Sequence, residues 1–206
     1  QAARFGDVRV MFPMVAQIEE IIQAKRMLDE AAESLEREGL PFKRDIPVGV
    51  MVEVPSAVIM ADAFAREVDF LSVGTNDLIQ YSFAIDRINK HVANMYQPLH
   101  PTVLRMIRQV VDAGRQQGIP VGLCGEMGGD VMSLPVLLGL ELDSISMNPV
   151  SIPAIKETIR GLSFADAKAL SLKALQESTA SRVEEMIREA CGDALQTAAF
   201  FQANGI

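Results

Sequence analysis

The sequence has few of the residues from which disulfides and zinc sites are built: only two cysteines, Cys124 and Cys191, occur in 206 residues. They are not in Cys-x-x-Cys spacing, so neither a disulfide framework nor a zinc site is expected, and a reducing compartment fits this usage. No uncharged apolar run approaches the ~18 residues that a membrane span requires. We therefore expect a cytoplasmic protein without membrane insertion.

The chain also lacks an excess of basic residues. Lys plus Arg number 19 against 27 for Asp plus Glu, which gives a formal net charge of −8. Binding to a nucleic-acid backbone usually needs a basic face, so nucleic acid is not an expected partner. With 49% hydrophobic and 22% charged residues, the composition is that of a globular protein and excludes disorder, collagen-like and coiled-coil architectures.

The beginning of the chain lacks both an initiator methionine and a signal-peptide pattern, since it reads Gln1-Ala2-Ala3-Arg4. This suggests a fragment. The length corresponds to about 1.4 ordinary domains at ~150 residues each, and we find no repeat or Pro/Gly-rich linker that would divide it. We therefore expect one domain over residues 1–206.

Short apolar segments rich in Val, Ile and Leu alternate with longer segments of helical periodicity. Five of them are predicted as buried strands: Val8–Phe12, Pro47–Val54, Asp69–Val73, Pro120–Cys124 and Asp143–Met147. Strands that are apolar on both faces and separated by helices indicate an α/β fold with a parallel sheet. After Met147 the pattern predicts helices only, at Ile152–Arg160, Ser163–Leu175 and Ser178–Ala190, and then a frayed tail over residues 192–206.

Three of the predicted strands end in residues that do not belong in an apolar core. These are Glu53, the Gly74-Thr75-Asn76-Asp77 segment, and Cys124. The carboxyl ends of parallel strands line one crevice, where α/β proteins place their ligand sites. Glu53 and Asp77 could therefore share Mg²⁺, which typically takes one or two carboxylates. Two structural alternatives stay open: Glu53 could cap a helix or pair with a lysine, and Asp77 could be an N-cap residue.

Other polar residues have weaker signals. Arg87 follows Asp77 by ten positions, close enough to hold an anion at such a metal, although a surface salt bridge with Asp86 is the alternative. Cys124 could be a small buried hydrophobic residue or, as a protonated thiol, a proton donor. His91 and His100 are predicted as surface residues.

Seven segments occur together in an order that resembles the C-terminal phosphoenolpyruvate-binding domain of the enzyme I family of the bacterial sugar phosphotransferase system. They are RVMFPM, GVMVEVPSA, DFLSVGTNDLIQY, AIDR, YQPLHP, GLCGEMGGD and SISMNPVSIP. The resemblance runs from about Val8 to Leu175. It implies that Glu53 and Asp77 ligate Mg²⁺, that Asn76 with Asp77 contacts phosphoenolpyruvate, that Arg87 holds its phosphate, and that Cys124 protonates the enolpyruvate carbon.

The resemblance further implies a (β/α)₈ barrel, a fold that usually needs ~250 residues. The five predicted strands match the fourth to eighth, so we expect a partial barrel, incomplete at its N-terminal side, with extra C-terminal helices. The family implies a homodimer, pyruvate as product, and a phosphocarrier protein reached through an N-terminal histidine domain that this chain lacks.

Three other functions remain open from the sequence. Pyruvate phosphate dikinase and phosphoenolpyruvate synthase share modified forms of the GTNDLIQY and CGE segments. A metal-dependent lyase that acts on pyruvate enolates would need Glu53 and Asp77 but not Arg87. A regulatory or dimerisation module would need no activity at all.

Overall fold

Five parallel strands form one sheet in the computed structural model, which describes residues 1–86, 89, 92 and 95–204. Their bounds are β1 Val10–Phe12, β2 Val48–Val52, β3 Phe70–Gly74, β4 Val121–Cys124 and β5 Ser144–Ile145. Each lies within a predicted strand or within one residue of it. The strands neighbour each other in sequence order, without the reversal that defines a doubly wound sheet. The fold is therefore α/β and follows the strand order of a (β/α) barrel, of which these five strands form an open segment.

Nine α-helices connect or follow these strands in the described part of the chain. They are α1 Ile18–Arg37, α2 Pro55–Ile59, α3 Ala61–Glu67, α4 Thr75–Ser82, α5 Pro101–Gln117, α6 Leu134–Gly139, α7 Ile152–Gly161, α8 Phe164–Ala174 and α9 Ala180–Asn204. Short 3₁₀ helices occupy Ala2–Arg4, Glu126–Gly129 and Pro149–Ser151. No described helix is long and apolar enough to cross a membrane.

The two faces of the sheet differ in chemistry, because alternate residues of a strand point to opposite sides. The outer face packs against the helices with the fully buried side chains of Val50, Val52, Leu71, Val73 and Leu123. Burial of each stabilises the fold by roughly 1.5–3 kcal/mol. The inner face carries the small residues Gly49, Ser72, Gly74, Gly122 and Ser144, together with the larger Met51 and Phe70. This inner face leads to the carboxyl edge where the candidate site lies.

Local sequence explains where the two longest connecting helices begin and end. At the start of α1, the Glu20 carboxylate accepts the backbone N–H groups of Ala16 and Gln17 at 2.7 and 3.0 Å, as in a capping box. Helix α5 begins at a proline, and it ends at Gly118, whose left-handed φ of 70° terminates the helix.

The structure gives His100, which is partly exposed, a local role that was not predicted. Its Nδ1 accepts the backbone N–H of Thr102 at 3.1 Å, so it is the N-cap of α5. Its half-buried ring packs edge-on against Phe83, with centroids 4.9 Å apart. His91 lies outside the described residues.

The structure corrects the C-terminal prediction. Helix α9 does not end at Ala190 but continues to Asn204, through most of the 192–206 segment predicted as a frayed tail. The N-terminal half of α9 is anchored by the fully buried Val183 and Ile187 and packs against α7 and α8. Beyond it, the sequence up to Asn204 is rich in alanine and contains no proline, so helix propensity favours continuation.

Candidate active site

The register of the strands brings the three predicted polar strand ends to one edge of the sheet. Val52 pairs with Val73, and Gly74 pairs with Cys124. Glu53, the residue after Val52, therefore lies beside Gly74, and β3 separates it from Cys124 at the end of β4. In (β/α) barrels this carboxyl edge is where active sites are found.

Glu53 is held in a fixed position at this edge and is only 3% exposed. Its Oε1 accepts the backbone N–H of Met14 at 2.7 Å, and Met14 adopts a left-handed φ of 57°, which is uncommon for a non-glycine residue. Gly74 leaves room for the other oxygen, because a Cβ at this position would lie 2.6 Å from Oε2. Glu53 therefore neither caps α2, whose N-cap is Val54, nor pairs with a lysine among the described residues.

Electrostatics at Glu53 disfavour its charged form. Burial raises the pKa of the Glu53 carboxyl, the Met14 hydrogen bond lowers it, and the nearby Asp77 carboxylate raises it further, with the net result above the ordinary value. The two carboxylates repel each other in this environment, and a cation between them would reduce the repulsion.

Asp77 is the third residue of α4, whose N-cap is Gly74, so the N-cap alternative is wrong. No group of three or more His, Cys, Asp or Glu side chains in the described part of the chain is arranged to hold a metal. Mg²⁺ does not need one, since water and substrate oxygens usually complete its octahedron around one or two carboxylates. The Glu53–Asp77 pair, one member buried and both electrostatically coupled, therefore fits such an ion.

Cys124 ends β4 as a half-buried free thiol. The Ser72 hydroxyl donates to its Sγ over 3.7 Å. Burial raises the pKa of Cys124, the Ser72 hydrogen bond lowers it, and the negative charges of Glu53 and Asp77 raise it again, so that it lies above the ordinary thiol value. A thiol of this kind is protonated at neutral pH, which suits proton donation better than nucleophilic attack.

Asn76 is tied to the β4 side of the site. Its Oδ1 accepts the Tyr96 hydroxyl and the backbone N–H of Glu126, each at 3.1 Å. The preceding residue, the fully buried Thr75, donates its hydroxyl to the Cys124 carbonyl at 3.0 Å. Two successive residues of α4 are thus bonded to the end of β4 and to the loop that follows it.

An open cleft of about 560 Å³ adjoins this arrangement on the side of β4 and β5. Asn76 and Cys124 line one wall. The remaining lining comes from the loops after β4 and β5: Gly125, Glu126, Gly129, Asp130, Ser146, Met147, Asn148 and Ser151. Glu53 and Asp77 are not among the residues that line this cleft, although both are close enough to affect the pKa of Cys124.

No role was predicted for Ser72 or Tyr96, and Thr75 was predicted only as part of a polar strand end. A serine inside the apolar segment FLSVG was a signal for Ser72, and Tyr96 belongs to the quoted YQPLHP segment. Arg87, predicted to bind an anion, lies outside the described residues.

Comparison of the chain with known proteins identifies its family. Residues 1–164 match the family described as the PEP-binding domain of PEP-utilising enzymes. Proteins named phosphoenolpyruvate-protein phosphotransferase from Haemophilus influenzae and Staphylococcus carnosus are each 46% identical over 189 residues, and that from Bacillus subtilis is 45% identical. These alignments cover 92% of this chain but 33% of each relative, so the chain spans about a third of their length.

A solved structure supports the fold alone. A citrate lyase from Burkholderia xenovorans LB400 superposes with a TM-score of 0.52 at 16% identity, over 96% of this chain and 64% of the other. The match to the family over residues 1–164 includes every residue of the candidate site. The chain therefore belongs to the phosphoenolpyruvate-binding domains of phosphoenolpyruvate-utilising enzymes.

Proposed function

We propose that the protein containing this chain is a phosphotransferase that moves the phosphoryl group of phosphoenolpyruvate to a protein histidine and releases pyruvate. The observation that carries this proposal is the meeting of Glu53, Asp77 and a protonated Cys124 at three adjacent strand ends, beside a cleft lined by Asn76. The phosphotransferase names of relatives at 45–46% identity support the same reaction.

Glu53 and Asp77 would hold Mg²⁺, for which their coupled carboxylates are suited. When bound, the ion supplies positive charge that stabilises the phosphoryl oxygens and the enolate oxygen. Arg87 would add a guanidinium for the phosphate. The Asn76 amide would bind a substrate oxygen and orient the enolpyruvate in the cleft.

Cys124 would complete the reaction as a general acid. The bond between phosphorus and the enol oxygen breaks as the histidine nitrogen bonds to phosphorus, and the electron pair stays with the enolate. The Cys124 S–H then donates its proton to the methylene carbon, which becomes the methyl group of pyruvate, and the thiolate recovers a proton from water. The raised pKa keeps this proton on sulfur until the carbanion-like carbon is formed.

The acceptor histidine would lie outside this chain, in keeping with the third of the relatives' length that it spans. His100 is the N-cap of α5 and has a structural task of its own. From that histidine the phosphoryl group would pass to a small phosphocarrier protein. We further propose a cytoplasmic homodimer, as the resemblance to the enzyme I family implies.

The test uses the intact protein and phosphoenolpyruvate labelled in its phosphoryl group. With Mg²⁺ we expect an acid-labile phosphohistidine, transfer of label to the phosphocarrier protein, and release of pyruvate. Cys124→Ala should bind phosphoenolpyruvate yet lose pyruvate formation, whereas Cys191→Ala should react normally. Normal pyruvate formation by Cys124→Ala would remove the thiol from the mechanism. A phosphohistidine that forms from labelled ATP but not from labelled phosphoenolpyruvate would indicate a dikinase or synthase instead.

A further inference from the structure

The side-chain amide of Asn76 is held from two sides. The Tyr96 hydroxyl lies 3.1 Å from Asn76 Oδ1, and the backbone nitrogen of Glu126 lies at the same distance from that atom. Tyr96 comes from the segment between α4 and α5, and Glu126 from the loop after β4. Two separate parts of the chain therefore converge on one oxygen.

These contacts determine which way the amide faces. A backbone N–H can only donate a hydrogen bond, so the atom that faces Glu126 must be the oxygen of Asn76. The Tyr96 hydroxyl then donates its proton to the same oxygen. The amide nitrogen consequently points away from both contacts, and its two N–H groups face elsewhere.

The loop geometry keeps the Glu126 contact in place. Gly125 adopts φ 110°, and a Cβ there would lie 2.4 Å from Thr75 Oγ1 and 3.1 Å from Asn76 Oδ1. Only glycine permits this approach without strain. The backbone contact is therefore built into the loop, whereas the Tyr96 contact depends on one side chain.

We propose that Tyr96 is a positioning residue that fixes the Asn76 amide with its N–H groups presented to the ligand, so that this corner of the cleft selects an acceptor oxygen. The inference rests on the proposed function and deepens it, since a carboxylate or enolate oxygen only accepts hydrogen bonds. A ligand with a donor-only group at that place, such as an ammonium group, would meet N–H groups and lose binding free energy. Tyr96 thereby contributes to specificity without itself contacting the ligand.

The closing experiment is a double-mutant cycle in the intact protein. Its probe is oxalate, an unreactive dianion whose oxygens are acceptors only, and Kd is measured with Mg²⁺ present. Because one net hydrogen bond changes an equilibrium by about three- to tenfold, Tyr96→Phe should weaken oxalate binding by about that factor. Asn76→Ala should weaken it at least as much. If Tyr96 acts through Asn76, then Tyr96→Phe has no further effect in the Asn76→Ala background.

A matched control and a ligand-free measurement separate this role from a general structural one. Tyr81→Phe, at a residue 44% exposed on α4, should leave Kd unchanged. In ¹⁵N NMR spectra without ligand, the Asn76 side-chain amide signal should shift in Tyr96→Phe and stay in place in Tyr81→Phe. Additive losses in the cycle, or wild-type Kd for Tyr96→Phe, would overturn the positioning role alone. Wild-type protein that binds neither oxalate nor phosphoenolpyruvate would overturn the proposed function and this inference with it.

Discussion

Replacing Gly74 by alanine should displace the Glu53 carboxylate without altering the backbone. Gly74 has φ −88°, which alanine adopts freely, so the effect of the new methyl group is steric. The added Cβ would lie 2.6 Å from Glu53 Oε2, 2.9 Å from Glu53 Cβ and 3.0 Å from Met51 Sδ. Ordinary contacts begin at 3.4 Å, so Oε2 must move by about 0.8 Å to reach one.

A shift of that size also affects the hydrogen bond from the Met14 N–H to Glu53, which is 2.7 Å long. It would lengthen this bond to about the upper limit of the usual range, 3.2 Å, or beyond it. Overpacking costs about 1–3 kcal/mol, and part of a charged hydrogen bond is lost as well. We expect the free energy of unfolding to fall by about 1–3 kcal/mol. Mg²⁺-dependent binding should weaken by about 10–100-fold, the usual effect of disturbing the groups that orient a metal ligand.

Two measurements check this prediction: urea unfolding of this chain without metal, and titration of the intact protein with Mg²⁺ and oxalate. The matched control is Gly6→Ala, because nothing lies within 4 Å of a Cβ at Gly6. Wild-type binding and stability in Gly74→Ala would refute the assignment of Glu53 as a fixed ligand. Lower stability with unchanged metal affinity would refute the link to the metal alone.

The remaining predictions concern the thiols, a salt-bridge network and the loop after β4. Mg²⁺ should speed the alkylation of Cys124 by iodoacetamide several-fold, because neutralising the nearby carboxylates lowers the raised pKa of this thiol. Cys191 serves as the internal control and should react at an unchanged rate, and chelation of Mg²⁺ should reverse the change at Cys124. Equal rates with and without Mg²⁺ would contradict the metal site. The pKa of Glu141 is lowered, first by its hydrogen bond from Lys168, so its stabilisation is present at neutral pH and is lost as the pH falls below the ordinary carboxyl pKa. Glu141→Gln should accordingly lower the free energy of unfolding by about 1 kcal/mol at pH 7. The variant should also lose the part of the fall in melting temperature at acid pH that protonation of Glu141 causes. A wild-type dependence of the melting temperature on pH would contradict this prediction. Gly125→Ala should lower the unfolding free energy by about 1–3 kcal/mol because of its φ of 110° and weaken oxalate binding, and a wild-type melting curve would refute the requirement for glycine.

Much of the scaffold could be predicted from local sequence. The β-strands were recognisable because each is a short run of Val, Ile and Leu flanked by Gly or Pro. Their parallel arrangement followed from the helices between them. From this arrangement alone, Glu53, Asp77 and Cys124 were expected at one edge. The role of Arg87 and the Mg²⁺ site remain predictions.

Other features could not be found in this way. The predicted helix Ser178–Ala190 gave no warning that α9 would extend to Asn204, because the sequence after Ala190 has only a weak helical pattern. The edge-on ring contact of His100 depends on the approach of Phe83, 17 positions earlier in the sequence. The Tyr96–Asn76 contact joins residues that are 20 positions apart, and no local pattern specifies such a pairing.

The sequence by itself determined which elements form and which residue types stand at the strand ends, because both depend on neighbouring side chains along the chain. Only the tertiary structure decided what those residues do together. It buried Glu53 against Met14 and Gly74, placed the Cys124 thiol near two carboxylates that raise its pKa, and turned the Asn76 amide by means of Tyr96 and Glu126. The physical reason is that burial, charge coupling and hydrogen-bond direction depend on distances between residues far apart in sequence, and these exist only once the sheet has formed.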